Sequence, residues 1–325
     1  MTGSKQRRDP RPLPKKLLSP VAKGGSGVLR FGAGILANSS IALDWLRLKY
    51  LDYVPRPDDI FIVTYPRSGT TWLQMILYQM TTDGEMNFTH ISEVVPWFEQ
   101  STLHRRNIES LPSPRAFKTH LHYNGIFSIP KASCRYIYMI RNGKDVLVSY
   151  YHFYKSHLGY KGTFPEFFKR FMRGKVQYGS WFKHVAQWRA NPRRLNILYL
   201  RYEDMLRDPE GGMREIADFC GFDIPTEKWP VILERTSFAF MKQYELKFDP
   251  AIEVLWQLHG TRVGAFLRKG KSGYAKEYLT PEQEAKFEQA FEKWLGGTGL
   301  TSEAPVAATP ANPAAPAGSA SSKSG

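Results

Sequence analysis

DDIFIVTYPRSGTTWLQMILYQM, residues 58–80, is the stretch that decides the fold. Residues 58–66, DDIFIVTYP, read as a short, buried, β-branched strand. Residues 71–80, TWLQMILYQM, hold no glycine or proline and read as a helix. Between them lies TYPRSGTTW, residues 64–72, a tight strand-to-helix turn. A nucleotide-triphosphate loop reads G-x-x-x-x-G-K-[ST], with a lysine just before its hydroxyl. Here there is one glycine, three clustered hydroxyls, and an arginine placed before the glycine. Gly69 lets the backbone come close to an anion, and the amides that follow point from a helix N-terminus, where negative charge is favoured. Ser68, Thr70 and Thr71 add hydroxyls, and Arg67 adds a fixed cation. The plainer alternative, a βα turn capped by threonine, needs Thr but not the whole run Arg-Ser-Gly-Thr-Thr. The missing lysine, and the lack of an acidic cluster to hold Mg²⁺, point away from γ-phosphoryl transfer, which needs a metal. A transferred group with less charge fits better.

Two further strand–helix pairs repeat the rhythm. CRYIYMIRN (134–142) reads as a strand before the helix KDVLVSYYHFYK (144–155). LNILYLRYEDM (195–205) reads as a strand followed, after a break at 208–212, by the helix MREIADFCGF (213–222). Strands alternating with helices predict a parallel sheet covered on both faces. GSWFKHVAQWRAN (179–191) and TPEQEAKFEQAFEKWL (280–295) supply outer helices. The expected fold class is α/β: one domain with a central parallel sheet flanked by helices and a P-loop-like anion-binding turn.

The 325 residues carry a formal net charge of +15. Residues 1–27 hold +6 of it, and residues 299–325 cancel, so +9 falls on the body. A basic body suits a polyanionic ligand, whether nucleotide, nucleic acid or lipid head group. Cys134 and Cys220 form no C-x-x-C pattern, so neither a disulfide framework nor a zinc site is expected, and a cytoplasmic location is the default. Residues 28–46 are moderately apolar but include Arg30, Asn38 and Asp44, too polar to span a bilayer. The expected boundaries are a basic disordered arm over 1–27, the folded domain over 28–298, and a disordered Ala/Pro/Ser tail over 299–325.

Three other motifs bear chemistry. Arg141 ends the second strand, and Ser149 follows inside the next helix, so the two can form a second anion pocket. An arginine capping carbonyls beside an unrelated serine is the ordinary alternative. RAFKTHLHYNGI (115–126) places Lys118 and His120 two residues apart in an extended run, hence on one side of it. A histidine titrates near neutrality and can take a proton from an attacking hydroxyl, although seven other histidines compete with this one. FLRKGKSG (266–273) is a basic loop whose Arg268, Lys269 and Gly270 amide can close over a phosphate, or equally be solvated.

Taken in order, these motifs resemble the cytosolic sulfotransferase family over roughly residues 55–290. TYPRSGTTW looks like its 5′-phosphosulfate loop, PRAFKTHL like its catalytic-histidine strand, and YMIRNGKDVLVSYYHFY like its 3′-phosphate strand and helix. YGSWFKHV, YLRYEDM, the TSF of residues 236–238 and FLRKG follow at familiar spacings. The resemblance implies transfer of a sulfonate from 3′-phosphoadenosine 5′-phosphosulfate (PAPS) to the hydroxyl or amine of an apolar small-molecule or lipid acceptor, with no metal. It implies that Arg67, Ser68, Gly69, Thr70, Thr71 and Trp72 hold the 5′-phosphosulfate, with Trp72 near the adenine. Arg141, Ser149, Arg268, Lys269 and Gly270 would hold the 3′-phosphate. Tyr202, Thr236, Ser237, Phe238 and Met241 would line the nucleoside site. His120 would be the general base, with Lys118 on the sulfonate and Arg67 on the bridging oxygen, and Trp97 and Phe153 would line the acceptor pocket.

Two departures stand out. Arg67 replaces the family's lysine. The family's C-terminal dimer motif, K-x-x-x-T-V-x-x-x-E, survives only as Lys276 and Thr280, with Pro281 and Ala285 in place of its valine and glutamate. A monomer, or a dimer built another way, is therefore expected. Two other function classes compete: a basic binder of nucleic acid or membrane on an inherited fold, marked by steep salt dependence, and a nucleotide kinase, marked by a Mg²⁺ requirement. The sulfotransferase reading implies no nucleic-acid partner.

Overall fold

In the computed structural model, residues 53–101, 107–128, 134–250 and 265–302 are described. The expected arm over 1–27, the apolar segment 28–46 and the tail beyond residue 302 lie outside them. Four strands form one sheet: β1 (Ile60–Thr64), β2 (Ala116–Thr119), β3 (Arg135–Ile140) and β4 (Asn196–Arg201). All pairs are parallel, in the order β2-β1-β3-β4. The chain leaves β1 toward β2 on one side and leaves β3 toward β4 on the other. The switch point therefore falls between the carboxyl ends of β1 and β3, where open α/β sheets bind ligands.

Both sheet faces are covered, which is why β1 reads as an unbroken apolar run. Phe61 and Val63 face one core, with Phe117, Tyr136 and Tyr138. Ile60 and Ile62 face the other, with Ile137, Met139 and Leu200. The first core is closed by α2 (Gly143–His157), α3 (Phe164–Met172), α4 (Trp181–Ala190) and α9 (Pro281–Leu295). The second is closed by α1 (Thr70–Thr81), α6 (Pro209–Cys220), α7 (Trp229–Thr236) and α8 (Phe238–Gln243), with the short α5 (Tyr202–Arg207) leading off β4. At the amino end of the sheet, Arg115 grips Asp59 with Nε–Oδ1 and Nη2–Oδ2 contacts of 2.7 and 2.8 Å, both side chains fully buried. A planar fork meeting a carboxylate is the arrangement that makes such burial tolerable.

Several boundaries differ from the sequence reading. The strand expected over 195–205 ends at Arg201, and α5 starts at Tyr202. Helix α6 begins at Pro209 rather than after Gly212, because Asp208 caps it through the Gly211 amide at 2.9 Å and Pro209 needs no N–H partner in the first turn. Helix α1 begins at Thr70, one residue early, on Gly69.

Candidate functional site

Residues 65–69 turn the chain from β1 into α1. Arg67 and Gly69 both have positive φ, +71° and +96°, and the Ser68 amide donates to the Tyr65 carbonyl at 3.2 Å. Left-handed residues within such a turn gather amides into an anion-binding concavity, here at the amino end of α1. Glycine is required at 69. A Cβ there would lie 2.7 Å from Met139 Sδ and 2.9 Å from the Tyr202 ring. Beside it, Thr70 Oγ1 meets Thr64 Oγ1 at 2.6 Å.

The Arg67 side chain runs sideways. Its Nε donates to Ser149 Oγ at 3.2 Å and its Nη2 to the Phe266 carbonyl at 2.9 Å. The guanidinium carbon sits 5.2 and 4.6 Å from the ring centroids of Phe153 and Phe266. Burial, with Arg141 nearby, pushes its pKa down to about 10, so it stays cationic at neutral pH. Arg67 and Ser149, expected at opposite ends of the nucleotide, are thus bonded to each other. Arg141 ties the same pieces together, donating to the Arg67 and Lys271 carbonyls at 2.9 Å each and lying 4.5 Å over the Tyr202 ring.

Buried carboxylates lash the basic loop to this corner. Asp145 accepts from Ser272 Oγ and from the Gly273 and Ala275 amides at 2.6, 2.7 and 3.1 Å. Glu203 accepts from the Asn142 amide at 2.9 Å. The loop's Arg268 lies 4.3 Å over the Tyr274 ring, and Lys269 pairs with Glu277 at 3.4 Å. Four buried polar atoms here have no partner among the described residues: Ser68 Oγ, Arg141 Nε, and Arg268 Nε and Nη2. Each orphaned group costs about 1–3 kcal/mol. An anion between the loop and β3 would offset that cost.

The residues expected to line the nucleoside site converge too, with the Thr236 and Ser237 hydroxyls already engaged. Thr236 Oγ1 donates to the Ile232 carbonyl at 2.7 Å, and Ser237 Oγ caps α8 through the Phe240 amide at 3.2 Å. Met241 is buried, and Phe238 lies over Gly270, where a Cβ would fall 2.3 Å from its ring. Trp72 meets Tyr202 edge-on at 5.8 Å.

His120 stands just past β2. Its Nδ1 lies 2.8 Å from the Thr64 carbonyl, which assigns the proton to Nδ1 and leaves the Nε2 lone pair for the cavity. Its amide donates to Glu99 Oε1 at 2.9 Å. Burial first, then the charge of Lys118, pushes the imidazole pKa down to about 3, so the ring is neutral at ordinary pH. Lys118 Nζ lies 4.4 Å from the Trp97 ring. Trp97 and Tyr178 approach the His120 ring at 5.3 and 5.1 Å. Phe153 stacks on His157 at 4.7 Å, and His157 Nε2 meets Asp249 at 3.0 Å with both side chains fully buried.

Every residue expected to bind donor or acceptor or to catalyse, Ser68 excepted, lines one cavity of about 470 Å³. Ser68 sits beneath it, 1 % exposed. Sequence reading missed Thr64, Glu99, Asp145, Glu203, Tyr178 and Phe266. Among the described residues, no cluster of His, Cys, Asp and Glu could hold a metal, and no helix is long and apolar enough to cross a membrane.

The model of the sulfotransferase domain family matches residues 57–299. Rat sulfotransferase 1C2 is 34% identical over 82% of this chain and 93% of its own length. Mouse sulfotransferase 1B1 is 36% identical over 80% and 90%. Among solved structures, mouse sulfotransferase SULT7A1 complexed with PAP aligns at a TM-score of 0.60 and 29% identity, covering 77% of this chain and 89% of that one. Retinol dehydratase in complex with androsterone and the inactive cofactor PAP aligns at 0.63 and 25%, covering 76% and 83%.

Proposed function

The chain belongs to the sulfotransferase family, and from that premise we propose that it moves a sulfonate from PAPS to a hydroxyl of an apolar acceptor, with His120 as general base. PAPS supplies the sulfonate and, in adenosine 3′,5′-bisphosphate (PAP), its leaving group. The donor set fits such a ligand. The concave turn at 67–69 and the start of α1 suit the 5′ end, and the unpartnered N–H groups of Arg268 and Arg141 suit the 3′-phosphate. Tyr202 and Trp72 offer flat faces to the base between them.

This chain's residues supply the rest. The His120 Nε2 lone pair takes the proton of the attacking hydroxyl, while the Thr64 carbonyl holds Nδ1–H and steadies the imidazolium that forms. Lys118 stands beside His120 as the cation for sulfonate oxygens, and the amides and Thr71 hydroxyl at the start of α1 receive the charge growing on the 5′-phosphate. Trp97, Phe153 and Tyr178 form an apolar wall that excludes water and suits a phenol, sterol or lipid alcohol.

The observation that carries the reading is the orientation of His120: a neutral base with one nitrogen pinned and the other free, inside the cavity that also holds the unpartnered arginine donors. A polyanion binder needs the cations but has no use for the base. Incubation with PAPS and a panel of phenols, sterols and fatty alcohols, read by mass spectrometry, tests it. Sulfonated product that requires His120 is the expected result. No product from any hydroxyl class, with PAP bound normally, would overturn it.

A further inference from the structure

The cavity wall leaves α2 at Phe153 and resumes at Gln177 and Tyr178. The excursion between them carries Lys155, Lys161, Lys169, Arg170, Arg173 and Lys175 against a single carboxylate, Glu166. All six cations are exposed except Arg170, which is half-buried. None forms an ion pair among the described residues. Glu166 is occupied at the amino end of α3, accepting from the Thr163 amide at 2.7 Å and its hydroxyl at 3.0 Å.

The ridge is held as one unit. Three phenylalanines of α3 (Phe167, Phe168 and Phe171) are buried in the core. Arg170 donates to the Lys175 carbonyl at 2.6 Å and lies 5.7 Å from the Tyr154 ring, and Lys155 lies 5.6 Å from the Tyr151 ring. Tyr160 and Phe164 are half-buried, and the tyrosine ring, apolar with a polar tip, suits a boundary between water and lipid. An uncompensated cationic ridge costs self-repulsion, and nothing in the donor site uses these side chains.

We propose that this ridge docks the enzyme on an anionic lipid surface, so that an apolar acceptor passes from the bilayer into the cavity without crossing water. The inference rests on the apolar acceptor read above. A membrane is favoured over nucleic acid because the ridge flanks the apolar end of the cavity, and only a membrane would also hold the acceptor. Juxtamembrane cations attract anionic lipid with about fivefold in partitioning per Lys or Arg, fading over about 8 Å at physiological salt.

The test is flotation of the full chain with phosphatidylcholine vesicles, with and without phosphatidylglycerol, across a salt series. Lys161→Gln, Arg173→Gln and Lys175→Gln together should lower partitioning to the anionic vesicles on the order of a hundredfold. PAP affinity by calorimetry and turnover of a dissolved phenol should stay unchanged, since none of the three touches the cavity. Sulfonation of a vesicle-borne sterol should fall in step with binding. Equal binding to neutral and anionic vesicles would overturn the proposal. So would a triple variant that binds like wild type, which would assign the charge effect to residues 1–27, or tighter ridge-dependent binding to single-stranded RNA than to vesicles. Loss of phenol turnover in the unmutated enzyme would instead fault the proposed function and leave the vesicle result standing.

Discussion

Replacing Arg67 is the sharpest test of how the two ends of the site are joined. A simple loop cation would act on the leaving group alone. The structure gives Arg67 a second role, because its fork spans Ser149 on α2 and the Phe266 carbonyl at the start of the basic loop. It also fills the gap between two phenylalanine rings. Two hydrogen bonds from a charged donor contribute about 1.5–3 kcal/mol each when both ends are held, and a desolvated cation–π contact about 2 kcal/mol. Truncation offsets part of this, because it also removes the cost of holding a guanidinium charge in a buried place. Arg67→Ala should therefore lower stability by about 2–4 kcal/mol, read as a shift in the urea midpoint at unchanged slope. It should free the 266–270 loop and so weaken PAP binding as well as turnover, the latter about 10²-fold for loss of one transition-state donor. Arg67→Lys keeps the charge but reaches one acceptor rather than two. It should retain substantial turnover with weaker PAP binding than wild type. Calorimetry with PAP, beside kcat under donor saturation, separates the roles. An Arg67→Ala enzyme with normal stability and normal PAP affinity would refute the bridging argument, even if its turnover fell.

His120→Ala should reduce turnover about 10²–10⁴-fold with PAP affinity nearly intact by calorimetry. In the proposed mechanism the neutral form of His120 acts, and burial depresses its pKa to about 3, so the acid limb of kcat/KM for the donor should lie well below pH 6.5. The same shift makes the unfolded chain bind more protons below pH 6.5. Burial depresses His122, His152 and His184 too. Stability should thus be full above about pH 6.5 and fall steadily toward pH 4 in denaturant titrations, beyond what His120→Gln shows. PAP should bind at least about tenfold more tightly than AMP in EDTA, the scale of one charge-assisted hydrogen bond to the 3′-phosphate. Light scattering should show no dimer that depends on Lys276 or Thr280. Thr280 and Pro281 instead start α9, with Thr280 and Gln283 capping each other at 3.1 and 3.2 Å.

The fold was legible because its signals are local. The β-branched run of β1, the Gly69 turn and the apolar face of α1 sit within 23 residues, and each rule points the same way. The misplaced start of α6 shows the limit. Gly211 and Gly212 carry poor helix propensity, yet Asp208 and Pro209 start the helix before them, a cap visible in sequence but outweighed by the glycine pair. The strand order was not legible at all, since periodicity does not say which strands pair.

In the site, sequence marked the groups with distinctive chemistry and missed those that hold them in place. The role proposed for His120 needs the Thr64 carbonyl to fix its tautomer and Glu99 to anchor its backbone, from positions 56 and 21 residues away. A backbone carbonyl has no side-chain signature, and Glu99 looks like any surface carboxylate until burial reveals it at 1 % exposure. Asp145 is the same case. Read along α2 it is an N-terminal acid that suits the helix dipole. In space it gathers three donors from a loop about 130 residues on and so sets where Arg268 and Lys269 stand. The physical reason is common to all of them. A reactive group must keep a free valence toward the ligand, and its type betrays it. A positioning group spends every valence inward, so only the contact, formed by the folded chain, distinguishes it from an ordinary residue.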